Sequence, residues 1–337
     1  MKKTLLTAAS ILAFTGFSGI ALADGNDSTI VQYGTGNITG VNQVGNLNYS
    51  NTLQNGNYNQ FYVDQRGTDN WLSRYNPSGP LDRDTNPAPQ VGNNNYNSIT
   101  QSGNQNTAIV DPFGDNNVQY YRQYGSNNFQ LGGNIGNSTL ENFNQYGSGN
   151  KSFNYIVGVG DSVTFVQVSP ADTPGYQGNV IGQDIPQGQF GNGGAGYKYN
   201  WNSFVDGNND TVSIDQRGAN QAMFQVLGSG DQLYISQNNW QGSGVGLYAT
   251  RNVADVNLQG DSDYVSVSQT GSYNSASLAI TGSGNTDGVY QNGISNVSNI
   301  TQTGTNQQAY TAQFGPNNIS NITQAGLGNY ATVTQIH

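Results

Sequence analysis

The glutamines of residues 285–335 constrain this chain more than any other feature. Gln291, Gln302, Gln313, Gln324 and Gln335 recur every eleven residues. Gly293, Gly304, Gly315 and Gly326 each follow a glutamine by two positions; Asn296, Asn318 and Asn329 follow by five, with Gln307 taking that slot once. The unit is therefore N-x-small-x-aliphatic-x-Q-x-G-x-x. A fixed period marks a stacked array, and it overrides any division of the chain into ordinary globular domains.

Within the unit, the stretch from Asn to Gln alternates strictly. Asn318, Ser320, Ile322 and Gln324 fall on one side, as do Asn329, Ala331, Val333 and Gln335. Period two is a strand with one buried face. The glycine-bearing remainder is a turn that needs positive φ. Two units close one coil of about twenty-two residues, and stacked coils pair each strand in parallel with its equivalent one coil on. The expected fold is all-β: a β-solenoid of stacked two-strand coils forming two facing parallel sheets, cross-β-like in spacing. Asn and Gln are expected to run in amide ladders along its axis.

The array begins at Asn26, Ser28, Ile30 and Gln32. Gln32, Gln43, Gln54 and Gln65 keep the spacing, with Gly34, Gly45, Gly56 and Gly67 in the turns and Asn37, Asn48, Asn59 and Asn70 after them. Pro77, Pro80, Pro87 and Pro89 interrupt the pattern, because proline brings no donor to a ladder. Residues 71–89 are expected to leave the stack as an insertion loop. Repeats resume over 90–168, with Pro112, Gln123, Asn134, Gln145, Ile156 and Gln167 in the glutamine slot. A second Pro/Gly-rich insertion covers 169–204, residues 240–250 are irregular, and repeats fill the rest of 205–337. Two acidic features sit badly in this scheme. Glu141 falls in an inward slot, which predicts a local slip or bulge. Asp161, Asp210, Asp231 and Asp263 replace the asparagine at strand starts, and are expected at corners that water reaches, since a buried carboxylate ladder is costly. About twenty-five units make roughly twelve coils, on the order of 60 Å of stack at about 4.8 Å each. The last repeat, ending in Thr334-Gln335-Ile336-His337, carries no evident cap, and an uncovered parallel edge is a template for another chain.

Residues 1–23 read as a secretory signal peptide. Lys2 and Lys3 precede an apolar run from Leu5 to Ile20, and Ala21-Leu22-Ala23 fits a small-residue cleavage site. Cleavage there leaves residues 24–70 as the first block of repeats and, by loss of two lysines, moves the formal charge from -10 to -12. Nothing else in the sequence is apolar enough for a helical membrane span. An acidic chain with 10 Lys+Arg against 20 Asp+Glu is a poor partner for a nucleic-acid backbone. With no cysteine, disulfides and thiol chemistry are excluded.

Catalytic chemistry has little to draw on, and no catalytic, cofactor or metal residue is assigned. The one histidine is His337. Asp261 and Asp263 form a chance carboxylate pair in a turn. Gly191–Gly196 matches G-x-G-x-x-G literally, but without the strand before and helix after that a dinucleotide site needs. The Gly-Asp turns do not repeat the calcium-binding β-helix pattern. Tyr49, Tyr62, Tyr96, Tyr234, Tyr264, Tyr310 and Tyr330 fall in the outward phase. Ordinary β-propensity accounts for them most simply; lateral packing by aromatic rows is the functional alternative.

The motif S/N-x-A/S-x-I/V/L-x-Q-x-G-x-x-N resembles the curlin repeat. Gln32-Tyr33-Gly34-Thr35-Gly36-Asn37 and Gln324-Ala325-Gly326-Leu327-Gly328-Asn329 match its Q-x-G-x-G-N core. The likeness covers most of 26–337 outside the insertions. It implies a secreted subunit of curli, the functional amyloid fibres of bacterial surfaces, serving adhesion and biofilm matrix. It further implies export through a dedicated outer-membrane channel, a nucleator subunit as partner, and self-assembly into a homopolymer. Two departures stand out: the chain is much longer than a typical curlin, and Asn26 is already in phase, leaving no distinct segment between leader and first repeat. The ladder residues expected to continue from one subunit into the next are Gln302, Gln313, Gln324, Gln335, Asn296, Asn318 and Asn329. Two rivals are a monomeric solenoid binding a flat surface ligand such as ice or polysaccharide, and a solenoid enzyme acting on glycans. The first needs a repeated outward row, which Ile319, Asn321 and Thr323 against Tyr330, Thr332 and Thr334 do not supply. The second needs carboxylates clustered on adjacent coils.

Overall fold

A computed structural model describes residues 21–22, 25–73, 88–169, 179–181, 203–239 and 252–337. The fold is all-β, a β-solenoid of two parallel sheets with 13 and 14 strands. Consecutive strands alternate between the sheets, and each pairs with the strand of the next coil. Thr286–Ile294 lies on Gln308–Phe314 with Gln291 opposite Gln313, and Val297–Thr305 lies on Ile319–Leu327 with Gln302 opposite Gln324. The vertical neighbour is thus twenty-two residues on, while the unit eleven on faces it across the interior. Ala21–Leu22 pairs with Gln43 and Val44 at the edge of the first sheet.

The stack stays in register on both sides of each insertion, and strand pairing reaches further into the insertion edges than the proline pattern predicts. Trp71–Ser73 and Ala88–Val91 together form one rung between Tyr49–Asn55 and Thr107–Phe113. Pro89 itself sits in that rung, opposite Leu53. Likewise Val180–Ile181 and Ser203–Asn208 share a rung between Lys151–Val159 and Asn220–Ser229. Pro77, Pro80, Pro87, the Gly191–Gly196 match and residues 240–250 lie outside the described residues. Between Thr211–Arg217 and Asn220–Ser229 the turn shrinks to Gly218 and Ala219, absorbing a one-residue deletion. No slip occurs at Glu141: it pairs in phase with Gln119 and Val163, so the expected bulge is absent.

Side chains alternate in and out as a half-buried strand requires. In Val297–Thr305 the buried set is Ser298, Ile300 and Gln302. One continuous apolar cluster runs from Val41 to Ile322 along the axis. It is thin, typically one branched or aromatic side chain per strand, each worth about 1.5–3 kcal/mol when fully buried. A coil therefore holds its shape only through pairing and packing on both neighbours. The middle is reinforced by aromatic stacking: Phe143 and Phe165 lie 4.5 Å apart at 8°, and Phe224 continues the spine 5.9 Å beyond Phe165.

The turns explain why their first position is nearly always glycine, with Ser169 and Asn239 as exceptions. At Gly304, φ is +138°, and an added Cβ would overlap the carbonyl oxygen of Gly326 one coil on. Where glycine stacks on glycine, the turns approach too closely for a side chain. A second left-handed residue precedes most corner residues; glycine serves, as at Gly36, Gly149 and Gly284, but Leu47 (φ 57°) before Asn48 and Asn306 (φ 53°) before Gln307 also adopt it. That second position has room for a side chain, which is why the sequence pattern leaves it variable.

Candidate functional site

The chemistry of this solenoid resides in four polar columns along its corners and walls. The first is an unbroken stack of twelve glutamines in the first sheet. Each Nε2 donates to the Oε1 of the next: Gln43 to Gln65 at 2.8 Å, Gln123 to Gln145 at 2.9 Å, Gln291 to Gln313 at 2.9 Å and Gln313 to Gln335 at 2.8 Å. The stack crosses both insertions, from Gln65 to Gln101 at 2.8 Å and from Gln167 to Gln216 at 3.1 Å. The second hydrogen of each amide bonds the facing sheet, as from Gln65 to the Tyr49 carbonyl at 2.9 Å. Both donors are thereby satisfied in a site that excludes water.

The second sheet is different. Gln32 donates to Gln54 at 2.6 Å, Gln54 to Gln90 at 2.9 Å, and Gln302 to Gln324 at 2.7 Å. Between these ends the slot holds Pro112, Asn134, Ile156, Val205, Val226, Leu258 and Ile280. The amide ladder gives way to an aliphatic spine. At the boundary above Ile280, the Oε1 of Gln302 has no partner.

The third column is asparagine throughout, at the corner that opens each second-sheet rung. Asn48, Asn296 and Asn318 belong to it. The backbone N–H of Asn70 donates to Asn48 Oδ1 at 3.1 Å, and that of Asn318 to Asn296 Oδ1 at 3.0 Å. The side-chain nitrogens reach turn carbonyls, Asn48 to Gly67 at 3.1 Å and Asn296 to Gly315 at 2.9 Å. So these asparagines stitch backbone to backbone, and bond one another only in part, as from Asn318 to Asn296 at 3.0 Å.

The fourth column opens each first-sheet rung and is mixed. Asn37 and Asn59 donate to the carbonyls of Gly56 and Gly92 at 2.8 and 2.7 Å, while Asn329 donates to Ala325 at 2.8 Å. Between them stand Thr139, Asp161, Asp210, Asp231 and Asp263. These four aspartates are not at wetted corners: each is at most 1% exposed. One oxygen of each accepts the next corner's backbone N–H, at 3.0, 2.9, 2.9 and 2.8 Å. The backbone donors reward an acceptor at this place, which the expectation of hydrated carboxylates overlooked. The other oxygen, Oδ2, has no partner in any of the four. Burial pushes Asp210 up to about 7 and Asp263 to about 6, and raises Asp161 and Asp231.

Glu141 explains itself once the facing wall is considered. The hydroxyl of Tyr121 donates to its Oε2, and Gln119 Nε2 donates to its Oε1 at 3.0 Å. Gly132 on the facing wall makes room, because a Cβ there would overlap the tyrosine hydroxyl. Burial pushes Glu141 up to about 7. Parity was the available signal: Tyr121, unlike the outward tyrosines, shares the inward phase of Gln119 and Gln123.

On the outer faces the tyrosines meet in short groups. Tyr62, Tyr96 and Tyr120 follow one another at 5.8 and 5.6 Å; Tyr234 and Tyr264 lie 5.7 Å apart, and Tyr310 and Tyr330 6.2 Å. Tyr49 stacks on Trp71 at 4.0 Å. Down one outward column, Tyr234, Ser266, Gly288, Tyr310 and Thr332 succeed one another, so the face is not a uniform row. Among the described residues no group of three or more His, Cys, Asp or Glu is placed to hold a metal ion, and no helix is long and apolar enough to cross a membrane. Neither a scan against protein-family models nor a search of the curated proteins returns a match to this chain.

Proposed function

We propose that the chain is a secreted, curlin-like structural subunit that polymerises coil on coil into an extracellular amyloid fibre for adhesion and biofilm matrix. One observation carries this reading: the coil at 318–336 is chemically the coil at 26–43 again. Asn318, Ser320, Ile322, Gln324, Gly326 and Gly328 repeat Asn26, Ser28, Ile30, Gln32, Gly34 and Gly36, and Val333 and Gln335 repeat Val41 and Gln43. In coil 318–336, Ile319 is 61%, Leu327 74% and Ile336 76% exposed. Asn318 Oδ1 has no partner there, whereas the equivalent Asn26 Oδ1 accepts the N–H of Asn48 at 3.0 Å.

A second copy seated in phase supplies what is missing. Its Asn26 N–H bonds Asn318 Oδ1, and Gln324 and Gln335 donate to its Gln32 and Gln43, continuing the direction of every amide in the stack. The contact is heterologous and does not close, so it propagates as a filament. Under this reading residues 1–23 are a leader removed on export, after which the N-terminal edge is free of Ala21–Leu22. A nucleator subunit and an export channel are the partners it calls for. The test is seeded growth of the chain from residue 24, followed by thioflavin fluorescence and fibre diffraction. Elongation on preformed seeds with a reflection near about 4.8 Å is expected; monomer that stays monodisperse on seeds for days refutes the proposal and favours a solitary solenoid.

A further inference from the structure

The four buried aspartates occupy a slot whose chemistry elsewhere in the same column is plain. Asn59 Nδ2 lies 3.2 Å from the position a Cβ would take on Gly56, and donates to the Gly92 carbonyl at 2.7 Å. Asp231 Oδ2 lies 3.0 Å from the matching position on Gly228, and Asp263 Oδ2 3.1 Å from that on Gly260. Asp161 and Asp210 stand in the same way against Gly158 and Gly207, and in all four coils the next glycine carbonyl borders that position. The carboxyl oxygen therefore sits where asparagine places an N–H, against a carbonyl that can only accept. Two bare acceptors do not share a dry site. A carboxylic acid, isosteric with the amide, restores the donor.

We propose that Asp161, Asp210, Asp231 and Asp263 are protonated in the folded solenoid, each Oδ2–H donating to a turn glycine carbonyl, so that this block of four consecutive coils closes by taking up protons and responds to external pH.

The surroundings reinforce the neutral form. The charges acting on the column are themselves acids: Asp206 beside Asp161, Asp161 and Asp231 beside Asp210, and Asp261 beside Asp231 and Asp263. Asn285 above Asp263 offers only its backbone and amide hydrogen bonds. Asp287, buried in the next coil and itself acted on by Asp263, is pushed up to about 8, with Tyr310 nearby also raised. Arg217 is engaged on the outer face with Asp215 at 3.2 Å. A cation in place of the protons fits less well, because no three acidic groups converge among the described residues and the turn backbones pack directly against Oδ2.

The sign of the linkage follows. Unfolded aspartates lose their protons near about pH 3.9, whereas the folded groups keep theirs to about 6 at Asp263 and about 7 at Asp210. Folding is most favoured below the lower limit and weakens as pH rises across that window, then levels off. Each group holding its proton shifts the equilibrium about tenfold per pH unit there.

The experiment compares the unassembled chain from residue 24 with D161N/D210N/D231N/D263N, and with D64N on the outer face as control. Folding is triggered by dilution from denaturant in weakly buffered solution at pH 5.5, and read by circular dichroism and a pH indicator. The parent and D64N are expected to take up protons and to lose the β signal progressively toward pH 8. The quadruple variant is expected to fold, since asparagine serves this slot at Asn59 and Asn285, with up to four fewer protons taken up and a flatter pH profile. D231N alone is expected to fall between. An unchanged uptake and profile in the quadruple variant overturns the proposal, as does restoration of the parent's fold at pH 8 by millimolar calcium, which assigns the column to a cation. These readouts do not require a fibre. Seeds that fail to grow at every pH, with the folding shift intact, sink the fibre reading and leave the protonated column standing.

Discussion

Replacing Gln237 by leucine tests what the glutamine column contributes, because the price of a gap belongs to its edges. Gln237 accepts from Gln216 at 2.8 Å and donates to Gln269 at 2.7 Å. Leucine leaves one N–H of Gln216 and the Oε1 of Gln269 buried without partners, and takes one donor from the Gln221 carbonyl. Each such orphan costs about 1–3 kcal/mol, so the two together cost about 4 kcal/mol. Burying the leucine returns about 2 kcal/mol, for a net loss of about 2 kcal/mol. Adding Gln269→Leu creates no further edge in the column: the orphans become Gln216 and Gln291, still two, while a second leucine is buried and the Val253 carbonyl loses one donor. The adjacent double variant is therefore expected to lie near the parent in stability. Pairing Gln237→Leu with the distant Gln65→Leu makes four orphans and doubles the loss to about 4 kcal/mol. The second sheet already shows both halves of this argument, in its run of Ile156, Val205, Val226, Leu258 and Ile280 and in the stranded oxygen of Gln302 at the boundary. Urea unfolding followed by circular dichroism measures Gln237→Leu, Gln269→Leu and the two double variants, with hydrogen exchange at the mutated rungs to catch local opening that a repeat array permits. Losses that simply add for the adjacent pair would refute edge-controlled stability and make each glutamine an independent contributor.

Three further substitutions probe the other parts of the fold. Gly304→Ala combines a strained φ of +138° with overlap on the Gly326 carbonyl, so a loss of about 3 kcal/mol or more is expected, and an unfolding midpoint within error of the parent would contradict the close stacking of turns. Phe165→Ala opens the aromatic spine between Phe143 and Phe224 and is expected to cost about 3–5 kcal/mol, whereas the same change at the outward Tyr62 should stay within about 1 kcal/mol; equal effects on thermal unfolding would mean the spine is not the core. Glu141, pushed up to about 7 when folded, destabilises the fold increasingly from about pH 4 to about pH 7, by up to about 4 kcal/mol. Glu141→Gln should remove one proton's worth of slope from stability measured across that range, and an unchanged slope would show that the Tyr121 and Gln119 hydrogen bonds keep the carboxylate ionised.

The period, the alternation and the glycine two residues after most of the glutamines were enough to read the fold class, the inward set and the turns, since each follows from local geometry: a strand repeats every two residues and a stacked turn leaves little room for a side chain. Gln43, Gln65, Gln291, Gln313 and Gln335 were recognisable as column members by spacing alone. Spacing did not separate them from Gln32, Gln54, Gln302 and Gln324, because the units alternate between walls, and only stacking shows one wall carrying amides throughout while the other turns aliphatic. The insertion edges were misread at Trp71 and Pro89 for a related reason. Local propensity disfavours a rung there, but neighbours above and below supply the pairing that holds it. Asp161, Asp210, Asp231 and Asp263 mark the deepest divide between the two. In the sequence they lie 49, 21 and 32 residues apart and look like separate surface substitutions. The coils bring them into one dry column, where burial and a row of glycine carbonyls, neither of them a property of any single repeat, set their protonation.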